Sequence, residues 1–331
     1  MFLLLAAALL QPPACAAAAP ADSLPPLPRE AVVLQTHVGV VNGTLLLPAA
    51  APGQRPAVAL LIAGSGPTDR DGNSRLIPGG PASLRLLAES LARCGIATLR
   101  YDKRGIAASP ISADAMRALR FDDYVDDAAA WLERLRADRR FARVVVVGHS
   151  EGALIGAIAA ARVPGTAVVS ISGAGKPAAD ILHDQLATRL PPPLAARADS
   201  ILAELRAGRL VDSVPPVLRS VFDPSVQAYE ISWFRYDPPA ALARVAAPVL
   251  VVQGTNDIQV SVDNARRLAA VPGARLVLVD SMTHVLKLAG SDQAAQMRTY
   301  TDGSLPLAPA LVRAVVDFIA SPAPPPSSPR R

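Results

Sequence analysis

Unbroken apolar runs mark the middle of the chain. The segment AVALLIAG (57–64) is continuously apolar and ends in glycine, the pattern of a strand buried on both faces of a parallel sheet. From there apolar runs and amphipathic stretches alternate. They predict a helix over 82–93, a strand over 96–101, a helix over 121–136, a strand over 143–148, a helix over 151–162 and a strand over 167–171. Such βαβ succession implies an α/β fold with a mostly parallel, doubly wound sheet and right-handed crossovers. Ahead of it, AVVLQTHVGV and NGTLLLP, between Ala31 and Pro48, predict two antiparallel strands joined near Gly39, with further turn chemistry at Asn42-Gly43.

After Gly175 the strand pattern stops. Helical periodicity, broken by Pro191-Pro192-Pro193 and Pro215-Pro216, continues to about Val245 and predicts an inserted helical cap. Alternation then resumes with a strand over 248–254, a helix over 263–270, a strand over 275–280 and a final helix over 308–320. The expected organisation is a core of 30–174 and 246–320 interrupted by a cap of 175–245. The tail at 321–331 is rich in proline and serine and is expected to be disordered.

The first residues, MFLLLAAALL followed by prolines and small residues, read as a signal peptide over 1–22 and imply a secreted or periplasmic protein. Cys15 sits in a poor lipidation context, with Pro12 three positions ahead of it, so lipoprotein anchoring is disfavoured. Signal removal would leave Cys94 as the remaining cysteine, so no intramolecular disulfide is expected. No later segment reaches the roughly 18 apolar residues that span a bilayer. The net charge of +5 does not signal a nucleic-acid partner, because the arginines are spread along the chain and Lys103, Lys176 and Lys287 are the only lysines.

Chemistry concentrates where the strand VVVVG runs into Gly148-His149-Ser150-Glu151-Gly152 and then into a small-residue helix. Glycines on both sides of a serine permit a sharp strand-to-helix turn that lifts the hydroxyl above the carboxyl edge of the sheet. A serine hydroxyl needs a base, and histidine is the usual one at neutral pH. Of the 4 histidines, His37 lies in the first strands, His149 lies within the turn, and His183 lies in the cap. His284 follows the last core strand and is the candidate that the fold can deliver to the serine. The acid that orients it should lie between Ser150 and His284 in the chain. Asp257, in Gly254-Thr255-Asn256-Asp257 directly after a strand, is preferred to Asp280.

Stabilising a tetrahedral oxyanion requires N–H donors. The backbone N–H of Glu151 is one candidate. Ser65, in Ala63-Gly64-Ser65-Gly66-Pro67, is the other, with Gly66 second. Asp69, Arg70 and Asp71 are expected to brace this loop, and Asp102 and Arg104 to pair with each other, with Gly105 beside the site. Trp233, Phe234 and Tyr236 either line a substrate pocket or pack cap against core.

Five segments carry a resemblance: GSGPTDRDGN (64–73), RYDKRGIAAS (100–109), VVGHSEGALIG (146–156), RYDPPAALARVAAPVLVVQGTNDIQV (235–260) and THVLK (283–287). Together they resemble the α/β-hydrolase superfamily, in particular the serine esterases and serine aminopeptidase-like hydrolases. The likeness covers about 57–290. It implies Ser150 as nucleophile, Asp257 as acid and His284 as base. Ala63 stands where many relatives have histidine, and Ala107 where glycine is common. The function so implied is hydrolysis of small-molecule esters through an acyl-enzyme, with no metal or organic cofactor. An aminopeptidase or amide hydrolase with the same triad, and a non-catalytic binding protein on this scaffold, are the alternatives.

Overall fold

A computed structural model describes residues 26–49 and 53–321. The expected signal peptide, Cys15 and nearly all of the expected disordered tail lie outside the described residues. No helix among the described residues is long and apolar enough to cross a membrane.

The strands are β1 (Arg29–Thr36), β2 (Gly39–Leu46), β3 (Ala57–Ile62), β4 (Ala97–Tyr101), β5 (Arg143–His149), β6 (Ala167–Ile171), β7 (Val249–Gly254) and β8 (Ala274–Val279). They form one 8-stranded sheet in the order β1-β2-β4-β3-β5-β6-β7-β8. The pairs β1–β2 and β2–β4 are antiparallel and the others are parallel. After β3 the chain builds outward to β4, then returns to place β5 on the other side of β3. That reversal opens a crevice at the carboxyl ends of β3 and β5, where ligands of open α/β sheets bind.

Apolar residues sit on both sheet faces because both faces are covered. On β3, Val58, Leu60 and Ile62 join one core with Trp131 and Leu132 of α3 (Phe121–Ala137) and Ile155 of α4 (Glu151–Arg162). Ala59 and Leu61 join the opposite core, with Leu87 and Leu91 of α1 (Ser83–Arg93) and Leu311 and Val315 of α12 (Pro309–Ala320). Each buried leucine or valine contributes about 1.5–3 kcal/mol relative to exposure. The remaining core helix, α10 (Val262–Ala269), packs Ala265 and Leu268 on the first face.

Between β6 and β7 the chain forms α5 (Ala178–Ala187), α6 (Pro192–Arg206), a short 3₁₀ turn, α7 (Arg219–Phe222), α8 (Pro224–Trp233) and α9 (Pro238–Leu242). The prolines that break the periodicity stand at helix starts, where the missing N–H costs nothing. A separate apolar cluster, with Ile201, Leu205 and Phe222 at its centre, holds this insertion together.

Four details depart from expectation. Asn42-Gly43 lies inside β2 rather than in a turn. The gap left by the glycine lets Val32 and the Arg100 carbonyl approach, and Asn42 bonds to the loop at Ala108 and Ser109. Two helices without strong apolar periodicity, α2 (Ala113–Ala118) and α11 (Gln293–Thr301), were not anticipated. Cys94, which ends α1, is disulfide-bonded; the contrary expectation rested on removal of residues 1–22. Arg104 does not pair with Asp102. It clamps Asp127 at 2.7 Å and Asp123 at 3.1 Å, while Asp102 takes Arg70 at 2.7 Å.

Ala107 adopts φ 43, a left-handed conformation that crowds a Cβ against the following carbonyl. It is exposed, so removing its methyl opens no cavity. Ala107→Gly is therefore expected to raise unfolding stability by up to about 1 kcal/mol. A denaturant melt in which the variant loses stability would contradict the strain.

Candidate active site

Ser150 joins β5 to α4 with φ 55 and ψ −120. This strained turn persists because its neighbours leave no alternative. A Cβ on Gly148 would lie 2.1 Å from the Gly152 carbonyl oxygen, and one on Gly152 would lie 2.3 Å from the Ile62 oxygen. The Ser150 N–H bonds to the Ile171 carbonyl at 2.9 Å, tying the turn to β6. The serine thus stands over the β3–β5 crevice at the N-terminus of a buried helix, whose first N–H groups have no intrahelical acceptor.

His284 and Asp257 meet from the loops after β8 and β7. His284 Nδ1 lies 2.8 Å from Asp257 Oδ2, with side chains 6% and 0% exposed. Asp257 Oδ1 accepts from the N–H groups of Gln259 and Val260 at 2.8 and 2.9 Å, and Oδ2 accepts from Gln253 Nε2 at 3.0 Å. Burial opposes ionisation of this carboxyl, but the His284 ring and the two backbone donors outweigh it and hold it below the usual carboxylate range. An ionised acceptor requires the proton on His284 Nδ1, which leaves a lone pair on Nε2. Asp280 is exposed and bonds instead to Thr255 and Ser281.

The His284 loop is tightly tied. Thr283 N–H bonds to the Lys287 carbonyl at 2.8 Å, Ser83 Oγ bonds to the Val285 carbonyl at 2.7 Å, and the buried Lys287 ammonium reaches the Asp302 carbonyl at 2.5 Å. His149 adds a further contact, its ring 4.8 Å from that of His284. Burial, reinforced by His284, pushes the His149 ring down to about 3. It is therefore neutral, and its Nε2–H donates to the His284 carbonyl at 2.8 Å. Ser150 Oγ makes no hydrogen bond to His284 among the described residues; such contacts are often loose without substrate. His183 bonds to Asp199 on the exposed side of the insertion, and His37 lies in the β1–β2 turn.

The loop after β3 is shaped by charge. Asp69 accepts from the N–H groups of Asp71 and Asn73 at 2.9 Å, Arg70 forks onto Asp102, and Asp71 meets Arg100 at 2.7 Å. Sequence reasoning did not find Lys103. Its ammonium, buried at 2% side-chain exposure, bonds to the Gly64 carbonyl at 2.7 Å and to Glu151 Oε1 at 2.9 Å. Gly64 O and Ser65 N–H belong to one trans peptide, so anchoring the oxygen on Lys103 turns the N–H the opposite way. Neither Ser65 nor Gly66 N–H has a backbone acceptor among the described residues. Lys103 thereby braces both candidate oxyanion donors, one through the Gly64–Ser65 peptide and one through the Glu151 side chain.

Two cavities adjoin the serine and share Ser65, Glu151, Leu182 and Trp233. The smaller, about 70 Å³, is lined by Ser150 itself. The larger, about 450 Å³, lies beneath α8 and includes Gly105, Tyr124 and Glu230. Trp233 serves both roles considered for the aromatics, since it lines both cavities and also stacks on Phe121 at 6.0 Å. Tyr236 packs on Phe121 and bonds to Asp122, and Phe234 packs within the insertion. Glu230 is 5% exposed, and burial pushes its carboxyl up to about 8.

Sheet order, the strand-to-helix serine turn and the histidine after the last strand give the chain the α/β-hydrolase fold. Residues 83–230 match the serine aminopeptidase S33 family. Esterase EstD of Thermotoga maritima is 26% identical over 239 residues, covering 71% of this chain and 55% of that protein; the chain thus spans about half the length of this relative. Est1E of Butyrivibrio proteoclasticus with ferulic acid bound superposes with a TM-score of 0.56 at 18% identity, over 88% of this chain and 100% of the other. The acylaminoacyl peptidase of Pyrococcus horikoshii gives 0.55 at 14% identity, over 94% of this chain and 44% of the other.

Glu230 sets a pH signature. Its carboxyl, ordinarily near 4.5, is raised to about 8 in the fold, so between those values the folded chain keeps a proton that the unfolded chain has released. Stability contributed by this site therefore falls as pH rises through that window. Glu230→Gln cannot ionise, and its stability advantage over the parent should grow from about zero near pH 4.5 to a few kcal/mol at pH 8. Melts at both pH values check it, and a constant difference would contradict the raised value.

Proposed function

We propose that the chain is a serine hydrolase that cleaves small carboxylic esters, with Ser150 as nucleophile, His284 as general base and Asp257 as the acid that orients it. The carrying observation is the His284–Asp257 contact at 2.8 Å, set at the same sheet edge as a serine held in a strained strand-to-helix turn. Attack of Ser150 Oγ on the ester carbonyl forms the C–O bond while His284 Nε2 takes the hydroxyl proton. Collapse breaks the bond to the alcohol, which leaves with that proton, and water then releases the acid by the same route. The N–H groups of Ser65 and Glu151 serve the oxyanion. The likeness to Esterase EstD supports an ester substrate. The apolar N-terminal run supports a secreted or periplasmic setting.

The match to the serine aminopeptidase family favours one second reading, an amide or aminoacyl hydrolase with the same residues. Matched aryl ester and aminoacyl-arylamide substrates separate the two. A non-catalytic binding role predicts that a fluorophosphonate probe leaves Ser150 unmodified.

On short-chain aryl esters, Ser150→Ala is expected to lower kcat by at least about a thousandfold. Asp257→Asn should cost about as much by leaving the wrong histidine tautomer, whereas Asp280→Asn should stay within about threefold of the parent. Activity of Ser150→Ala within tenfold of the parent would sink the proposal.

Lys103 gives an independent test. Lys103→Met leaves the Glu151 carboxylate buried without its partner, which costs about 3–5 kcal/mol of stability. Combining it with Glu151→Gln should restore much of that stability. The double variant should still lose about ten- to a hundredfold in kcat with KM nearly unchanged, because the Gly64–Ser65 peptide is no longer anchored. Steady-state kinetics showing full kcat would remove Lys103 from any role in placing the oxyanion donors.

A further inference from the structure

The larger cavity contains polar groups that the proposed chemistry does not use. Its walls are mainly apolar, with Ile106, Met116, Leu119 and Val226 among them, and it opens toward the serine through residues that it shares with the smaller cavity. Of the residues that line it, Glu230 Oε2, Trp233 Nε1 and the Tyr229 hydroxyl are buried without a hydrogen-bond partner among the described residues, and the Tyr229 hydroxyl lies in the field of Glu151. Glu230 and Trp233 stand on α8, three residues apart and so on one face of the helix. Leaving each such group unmatched costs about 1–3 kcal/mol, a penalty that a fold tolerates where a ligand supplies the missing bond.

Glu230 and Trp233 also restrict what that ligand can be. Trp233 Nε1–H is an obligate donor and demands an acceptor. The charged groups on the same wall, Lys103 and Glu151, already satisfy each other at 2.9 Å, so neither offers a free charge to the substrate. Among the described residues no cation bears on Glu230, and burial keeps its carboxyl in the acid form near neutrality, where it both donates and accepts. An ammonium group cannot accept from Trp233 and must first ionise Glu230. An uncharged hydroxyl or carboxamide accepts and donates at once and answers both residues.

We propose that the cavity beneath α8 is a subsite for the far end of the substrate, where Glu230 and Trp233 recognise an uncharged hydroxyl or carboxamide carried on an apolar body. This rests on the ester-hydrolase reading and names the substrate class of that site. It makes Glu230 a specificity-determining residue.

The test uses aryl esters of straight-chain acids, matched in length, that end in methyl, hydroxyl, carboxamide or ammonium. A second series carries the same ends on the alcohol side, so that the side which reaches the cavity is identified. For the series that reaches it, the parent should favour the hydroxyl or carboxamide end over the methyl end by about tenfold in kcat/KM, the worth of one well-made hydrogen bond. Within each variant's own ratio, Glu230→Leu should bring that preference to about one. Glu230→Gln, whose amide also donates and accepts, should keep most of it. Preference for the ammonium end, lost in Glu230→Gln, overturns the inference in favour of a cation site. Equal rates for all ends in both series overturn it outright. Methyl-ended turnover by the parent and its loss in Ser150→Ala report the underlying hydrolase reading separately, so the two failures are distinguishable.

Discussion

The rest of the structure depends on one close approach: the backbone of α4 at Gly152 lies against the end of β3, so that a Cβ there would meet the Ile62 oxygen at 2.3 Å and the Ala63 oxygen at 2.8 Å. With helix and strand that close, the link between β5 and α4 must be a single tight residue. Ser150 accordingly takes a conformation that L-residues avoid. The same approach sets the N-terminus of α4 beside the loop after β3, which brings two sets of N–H groups to one side of the serine. Surrounding hydrogen bonds and core packing hold the strain in place.

Around this point the protein spends buried charge. Lys103 and Glu151, Arg104 and Asp127, and Arg70 and Asp102 all lie close to the carboxyl edge of the sheet. Buried pairs seldom add net stability, because desolvation consumes most of the Coulomb gain. What they impose here is geometry. Arg70 fixes the loop after β3 against the loop after β4, Arg104 fixes the latter against α3, and Lys103 joins the first loop to α4. Two loops are thus held to each other and to α3 and α4 by directional bonds.

The helical insertion is built differently. Its own apolar cluster gives it internal order, while its contact with the sheet domain runs through aromatic rings, with Phe121 of α3 packed between Trp233 and Tyr236. That contact leaves a cavity instead of closing it, and α8 carries into the cavity the one acid there without a basic partner. The proposed catalytic groups come from the sheet edge, and Glu230 and Trp233 of the proposed subsite come from the insertion. The two can vary separately.

Much of this was legible in the residues before any coordinates. The parallel strands follow from continuous apolar runs, because a strand covered on both faces has no polar side to show. Gly148, Ser150 and Gly152 signal their turn because backbone contact distances exclude every other residue type at the glycines. Chain order and strand ends then pointed to Asp257 and His284. The polar helices α2 and α11 were missed because neither carries a strong apolar stripe. The assignment of Asp102 to Arg104 went wrong because charged side chains choose partners across strands. Lys103, His149 and Glu230 acquire their meaning only from neighbours 39 to 135 residues away or from the cavity around them. Local pattern determined which elements form and where the serine turns, since those depend on backbone geometry and burial along short stretches. Tertiary structure decided which charges meet and which acid is left unpaired, since burial and electrostatic contact belong to the folded whole.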